Sequence, residues 1–114
     1  MAMTKPYFIF MPLRATPRWL ALTPEQRFSF LGAVIEPILT RNDRVRLRFF
    51  DCEFYSAHVS DMAMWETDDL AAWQALVEDL RETEFWDSYF EVKDVLLSVE
   101  NAYAHHYGKV AISG

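Results

Sequence analysis

Between Arg44 and Glu66 apolar and polar residues alternate in steps of two, with one break near the middle. Val45, Leu47 and Phe49 fall on one face of an extended strand, and Arg46, Arg48 and Phe50 on the other. Val59, Asp61, Ala63 and Trp65 alternate in the same way against Ser60, Met62 and Met64. Two such runs joined by a polar loop predict a β-hairpin. A register with Arg48 opposite Asp61 pairs opposite charges and sets Met62 and Met64 beside Leu47 and Phe49.

Around this hairpin the pattern changes period. Tyr7 to Met11 is a continuous apolar run between Pro6 and Pro12, the pattern of a strand buried on both faces. The connection Arg14–Leu22 follows. Thr23-Pro24-Glu25-Gln26 is a helix start, with a capping threonine, a proline where its missing N–H costs nothing, and a glutamine that closes a capping box. Phe28, Leu31, Ile35 and Ile38 share a helical face, and Pro37 predicts an interruption near Glu36. Thr67-Asp68-Asp69 opens a second helix whose buried stripe is Leu70, Trp73, Leu76, Val77 and Leu80. Tyr89–Val99 is the last strand, and Glu100–Gly114 is a tail.

The predicted order is β-α-β-β-α-β, an α+β fold of the ferredoxin-like kind. A single domain spans 1–104 and a C-terminal tail 105–114. Two helices cover only one face of a four-stranded sheet. Tyr7 or Phe8, Phe50, Val59 and Trp65 place apolar bulk on the other, and an exposed patch of that size is a liability in a monomer. Burial against a second copy gives a homodimer with an enclosed inter-sheet space, a dimeric α+β barrel.

Composition narrows the partners. The 114 residues carry a formal charge of -6, which argues against nucleic acid, whose phosphates are held by clustered Lys and Arg. One cysteine, Cys52, excludes an internal disulfide and a Cys-rich zinc site. The apolar run Tyr7–Leu13 is too short to span a bilayer and is not followed by a small-residue cleavage pattern. The expectation is a protein of the cytoplasm, with neither membrane nor nucleic acid as partner.

The stretches LRATPRWLALTPEQRFSFL, VRLRFFDCEFYSAHVSDMAMWETDDLAAWQALVEDLRETEFW and YFEV, with VENAYA near the end, resemble the darcynin family of small bacterial and fungal proteins. The likeness covers roughly residues 7–104. It implies a dimeric α+β barrel and no established activity, so there are no family catalytic residues to carry over. The wider group of dimeric barrels is similar in architecture to small monooxygenases, isomerases, dehalogenase-like enzymes and stress proteins, an analogy of fold alone.

Arg46, Arg48 and Asp61 are the leading candidates for a ligand site. Facing an inter-sheet cavity, the guanidinium groups would clamp a carboxylate or enolate through paired N–H donors, with Asp61 holding one in place. Against this stands mutual satisfaction of Arg48 and Asp61, the commoner use of such pairs and the favoured reading. Trp65 offers a face for a flat ligand, although core filling is its more usual role. His58 and Asp61 are the candidates for moving a proton, and a histidine beside a hairpin turn is more often a surface residue. Asp51 and Glu53 with His58 match no metal-ligand spacing and read as a solvated turn. His105-His106 would need carboxylates that sequence alone does not place. Only three glycines are present and there is no nucleotide fingerprint, so no cofactor and no metal are predicted.

The function expected from sequence is therefore binding of a small anionic or oxygenated organic molecule in the inter-sheet cavity of a homodimer. The alternatives are a non-catalytic structural or interaction module and a cofactor-independent monooxygenase- or isomerase-like enzyme. Whether the protein is an enzyme is left open by these residues.

Overall fold

The computed structural model describes residues 6–113. Its elements in order are β1 (Tyr7–Ala15), α1 (Pro17–Leu20), α2 (Pro24–Phe30), a π-helical turn (Leu31–Ile35), α3 (Glu36–Arg41), β2 (Arg46–Asp51), β3 (Asp61–Thr67), α4 (Leu70–Arg81), β4 (Phe90–Val92), β5 (Leu96–Ser98) and α5 (Ala102–His106). The antiparallel sheet runs β2-β3-β1-β4, with β5 also on β1. Since β4 and β5 occupy the same side of β1, they are two halves of one fourth strand. The topology is the ferredoxin-like arrangement expected from the order of elements.

Two prolines account for the irregularities. β1 runs through Pro12 to Ala15, farther than the sequence pattern suggested. The Pro12 carbonyl accepts from the Lys93 N–H on the fourth-strand side, the side on which Pro12 has no N–H to give. The ladder loses a donor there, and the predicted strand Tyr89–Val99 breaks at the same place. Leu13 pairs with Val92 but Phe10 pairs with Leu96, so one extra residue is accommodated across the gap. Pro37 acts on the helix. The turn before it widens to a π-turn, in which the Glu36 N–H reaches Leu31 O, and this relieves the clash a proline ring makes with the preceding turn. The interruption expected near Glu36 takes this form.

Both predicted caps are present. Thr23 and Gln26 form the capping box, and the Asp69 carboxylate accepts from the Ala71 and Ala72 N–H groups at the start of α4. The core lies between the helices and one face of the sheet, around Ile9, Met11, Leu13, Ala63, Leu76 and Leu80.

The hairpin register differs from the one expected. Arg46 lies opposite Glu66, Arg48 opposite Met64, Phe50 opposite Met62, and Asp51 opposite Asp61. Directly paired residues share a face, so Leu47, Phe49, Asp51, Asp61, Ala63 and Trp65 turn toward the helices. Arg46, Arg48, Phe50, Met62 and Met64 turn away. Trp65 is 2 % exposed and belongs to the helix-covered side, which corrects its assignment to the second face. The loop between the strands is largely exposed, with Glu53, Phe54, Tyr55 and His58 open to solvent, and Cys52 N–H bonds Ser60 O across its base. The segment expected to be a plain tail contains α5.

Candidate functional site

Between the helices and the inward face of the sheet lies an open pocket of about 550 Å³. Its walls are aromatic and aliphatic. Trp19 comes from α1 and packs on Phe90 and Tyr89, with ring centroids 4.9 and 5.3 Å away. Phe85 packs on Phe90 at 5.2 Å. Phe28, 73 % exposed, stands among the lining residues on α2, where the apolar helix face meets open space. Phe49 and Trp65 supply the sheet side.

The polar groups are almost all acidic. Asp51, Glu53 and Asp61 line the pocket from the sheet and the loop after β2, and Glu36 from α3. Asp51 and Asp61 meet because the register sets them directly opposite one another. The one cationic lining residue, Arg27, donates to the carbonyls of Trp19 and Leu20 at 3.2 and 2.9 Å and so ties α2 to α1. None of the ion pairs among the described residues involves Asp51, Glu53 or Asp61.

Asp61 is 9 % exposed, and burial raises its carboxyl from 3.8 to about 6. The Ser60 hydroxyl, which donates to Asp61 Oδ2 at 2.8 Å, pulls the other way. The neighbouring carboxylates of Asp51 and Glu53 add to the rise. The result is a carboxyl group that changes charge close to neutral pH in an apolar pocket. The Trp65 indole N–H, also buried in the pocket wall, has no acceptor. Buried donors almost always have a partner, so this one stands out.

The other sequence candidates are separated from this pocket. Arg46 pairs with Glu66 across the strands at 3.0 Å on the opposite face. Arg48 lies on that face too, its guanidinium carbon 5.3 Å from the Phe50 ring centre. His58 is exposed in the hairpin loop, where its backbone N–H bonds Ser56 Oγ. The structure thus brings Asp61 and Trp65 together and sets Arg46, Arg48 and His58 apart from them. No cluster of three or more metal-ligating side chains occurs among the described residues. Asp51, which the sequence reading assigned to a solvated turn, is instead the last residue of β2 and lines the pocket. Its signal was the alternation itself, which continues Leu47 and Phe49 by one more step of two.

The sheet face turned away from the helices carries Phe8, Phe10, Met62, Met64, Phe50 and Leu96, with Phe10 37 % and Leu96 49 % exposed. No helix of the described residues is long and apolar enough to cross a membrane.

The Darcynin family, described as a domain of unknown function, matches residues 1–114. The chain belongs to the Darcynin family. It is 49 % identical over 106 residues to a Darcynin homolog of Granulibacter bethesdensis, covering 92 % of this chain and 86 % of that protein. A Darcynin homolog of Streptomyces avermitilis is 50 % identical over 104 residues, covering 90 % and 86 %. The Darcynin of Chromobacterium violaceum is 36 % identical over 78 residues, covering 68 % of this chain and 99 % of that one. Among solved structures this Darcynin is similar to chlorite dismutase variants from Candidatus Nitrospira defluvii. One aligns with a TM-score of 0.75 at 20 % identity over 92 % of this chain and 44 % of that chain. Another aligns with a TM-score of 0.73 at 15 % identity over 96 % and 45 %. The chain spans about half the length of those structures, and the likeness concerns the fold alone.

Proposed function

We propose that this Darcynin is a homodimeric small-molecule-binding protein whose ligand site is the pocket between the helices and the sheet. The observation that carries the reading is the 550 Å³ aromatic pocket with the buried Asp61 carboxyl in its wall. A large apolar cavity with a few convergent polar groups and a shifted carboxyl is the usual form of a ligand site. The anionic ligand expected from sequence suits this pocket poorly, because its polar groups are acidic. The arginines stand on the other face. A proton held by Asp61 near neutrality also provides a donor or acceptor for a bound polar group.

The homodimer has its own support. Four strands at about 4.8 Å spacing and seven residues at about 3.3 Å make a face roughly 20 by 23 Å. Once corrugated by side chains, such a face supplies the several hundred Å² per partner that a stable dimer buries. In this arrangement Arg48 stacked on Phe50 lies at the contact and orders it. The unpaired Cys52 supports a reducing, cytoplasmic setting.

Native mass spectrometry of protein purified without additives tests the assembly, with a dimer expected. Displacement of a bound fluorescent apolar dye tests the site. Phe49→Arg, which puts a bulky charge into the pocket wall, should abolish dye binding while the dimer persists. Unchanged dye binding in that variant would remove the pocket from consideration.

A further inference from the structure

We infer that the pocket takes an organic amine, with the ammonium group held between the Asp51 and Asp61 carboxyls and the apolar body lying along the aromatic walls. This rests on the reading of the pocket as the ligand site and specifies what fills it.

Two features converge on a cation. First, the charges are one-sided. Asp51 on β2, Asp61 on β3, Glu53 in the following loop and Glu36 on α3 line the pocket, whereas the Arg27 guanidinium on α2 is turned to two backbone carbonyls. Asp61 is buried while Asp51, Glu53 and Glu36 are exposed, so the negative charge is open to solvent on one side and reaches the apolar interior through Asp61; a cation is the ligand charge that such a lining favours. Second, the walls are rich in aromatic rings, and Trp19, Phe28 and Phe49 present surfaces suited to a cation's alkyl or aryl body and to its charge.

Asp61 lies directly opposite Asp51 in the strand register, and burial holds its proton up to about 6. An ammonium is faced by the ionised form of Asp61, with the Asp51 side chain on the same face of the sheet. Affinity for an amine therefore improves as pH rises through 6. On that pKa, and with the amine fully protonated throughout, the gain from pH 5 to pH 7.5 is on the order of tenfold.

The test uses one aryl body with three head groups, 2-phenylethylamine, 2-phenylethanol and 3-phenylpropionate, titrated calorimetrically into the full chain at pH 5 and pH 7.5. The expected result is an amine that binds at least tenfold more tightly than the alcohol at pH 7.5 and weakens on acidification, with the carboxylate weakest. Asp61→Asn should remove the amine's advantage and its pH dependence. Retained binding of the fluorescent apolar dye shows that the variant is folded and the pocket intact. If alcohol and amine bind alike, or if Asp61→Asn keeps the amine preference, the pocket remains a ligand site and the amine assignment is overturned. Tightest binding of the carboxylate overturns the assignment as well. If none of the three binds, the pocket reading fails together with it.

Discussion

Replacing Asp61 by asparagine should make the protein more stable at neutral pH, and the gain should vanish in acid. In the unfolded chain Asp61 ionises near 3.8, and in the fold near 6. Below the lower value both states hold the proton, so the group leaves stability unchanged. Between the two values the folded state holds a proton that the unfolded state has released, and stability falls as pH rises. Above about 6 the whole penalty for burying the charge is present. The interval corresponds to about 3 kcal/mol at ~1.4 kcal/mol per tenfold in proton affinity. Water at the mouth of the pocket screens part of it, and a gain of about 1–2 kcal/mol is the expectation for the variant. Asparagine retains an oxygen to accept the Ser60 hydroxyl, so that contact survives. Urea unfolding of both proteins at fixed concentration, from pH 4 to pH 7.5, gives the difference directly. Other carboxylates such as Asp79, held below its usual value by Asn42 and Arg41, shift both curves together and cancel. A difference that stays flat within about 0.5 kcal/mol across this range would refute the reasoning. A variant less stable than the parent at pH 7 would do so more sharply.

Three further outcomes follow from packing and capping. Phe10→Glu combined with Met64→Glu places charges on the uncovered sheet face and should convert a dimer to a monomer in light scattering, with circular dichroism unchanged. Leu76→Ala opens a fully buried site in α4 and should cost about 2–5 kcal/mol in chemical unfolding, near the upper end if the helix does not settle into the gap. Thr23→Ala removes one half of the capping box and should cost about 1 kcal/mol, whereas Thr23→Ser should cost little.

The fold was largely legible because its signals are local. The Thr23–Gln26 box, the Asp69 cap and the period-two runs each fix an element without reference to the rest. The π-turn before Pro37 was legible as an interruption, because a proline inside a helical pattern has few outcomes. The site was harder to read. Asp61 and Trp65 were recognisable as candidates, but which face they occupy depends on a register that the hairpin loop sets. Its residues give no turn signal strong enough to fix the count. A shift in pairing moved Asp61 from Arg48 to Asp51, and with it the chemistry changed from a clamp for anions to an acidic pair. The pocket itself was not legible, since it arises where α1, α2 and α3 fail to close over the sheet. That gap depends on tertiary placement and not on any residue pattern.

The break opposite Pro12 also bears on how such chains avoid polymerising. A sheet has two edges, and a long flat edge invites another strand to add on without limit. Here one edge is cut into two pieces of three residues each, out of step with one another. The other edge, β2, carries Arg46, Arg48 and Asp51 among its apolar residues. One edge is broken and the other is charged, so both carry features that discourage the addition of further strands.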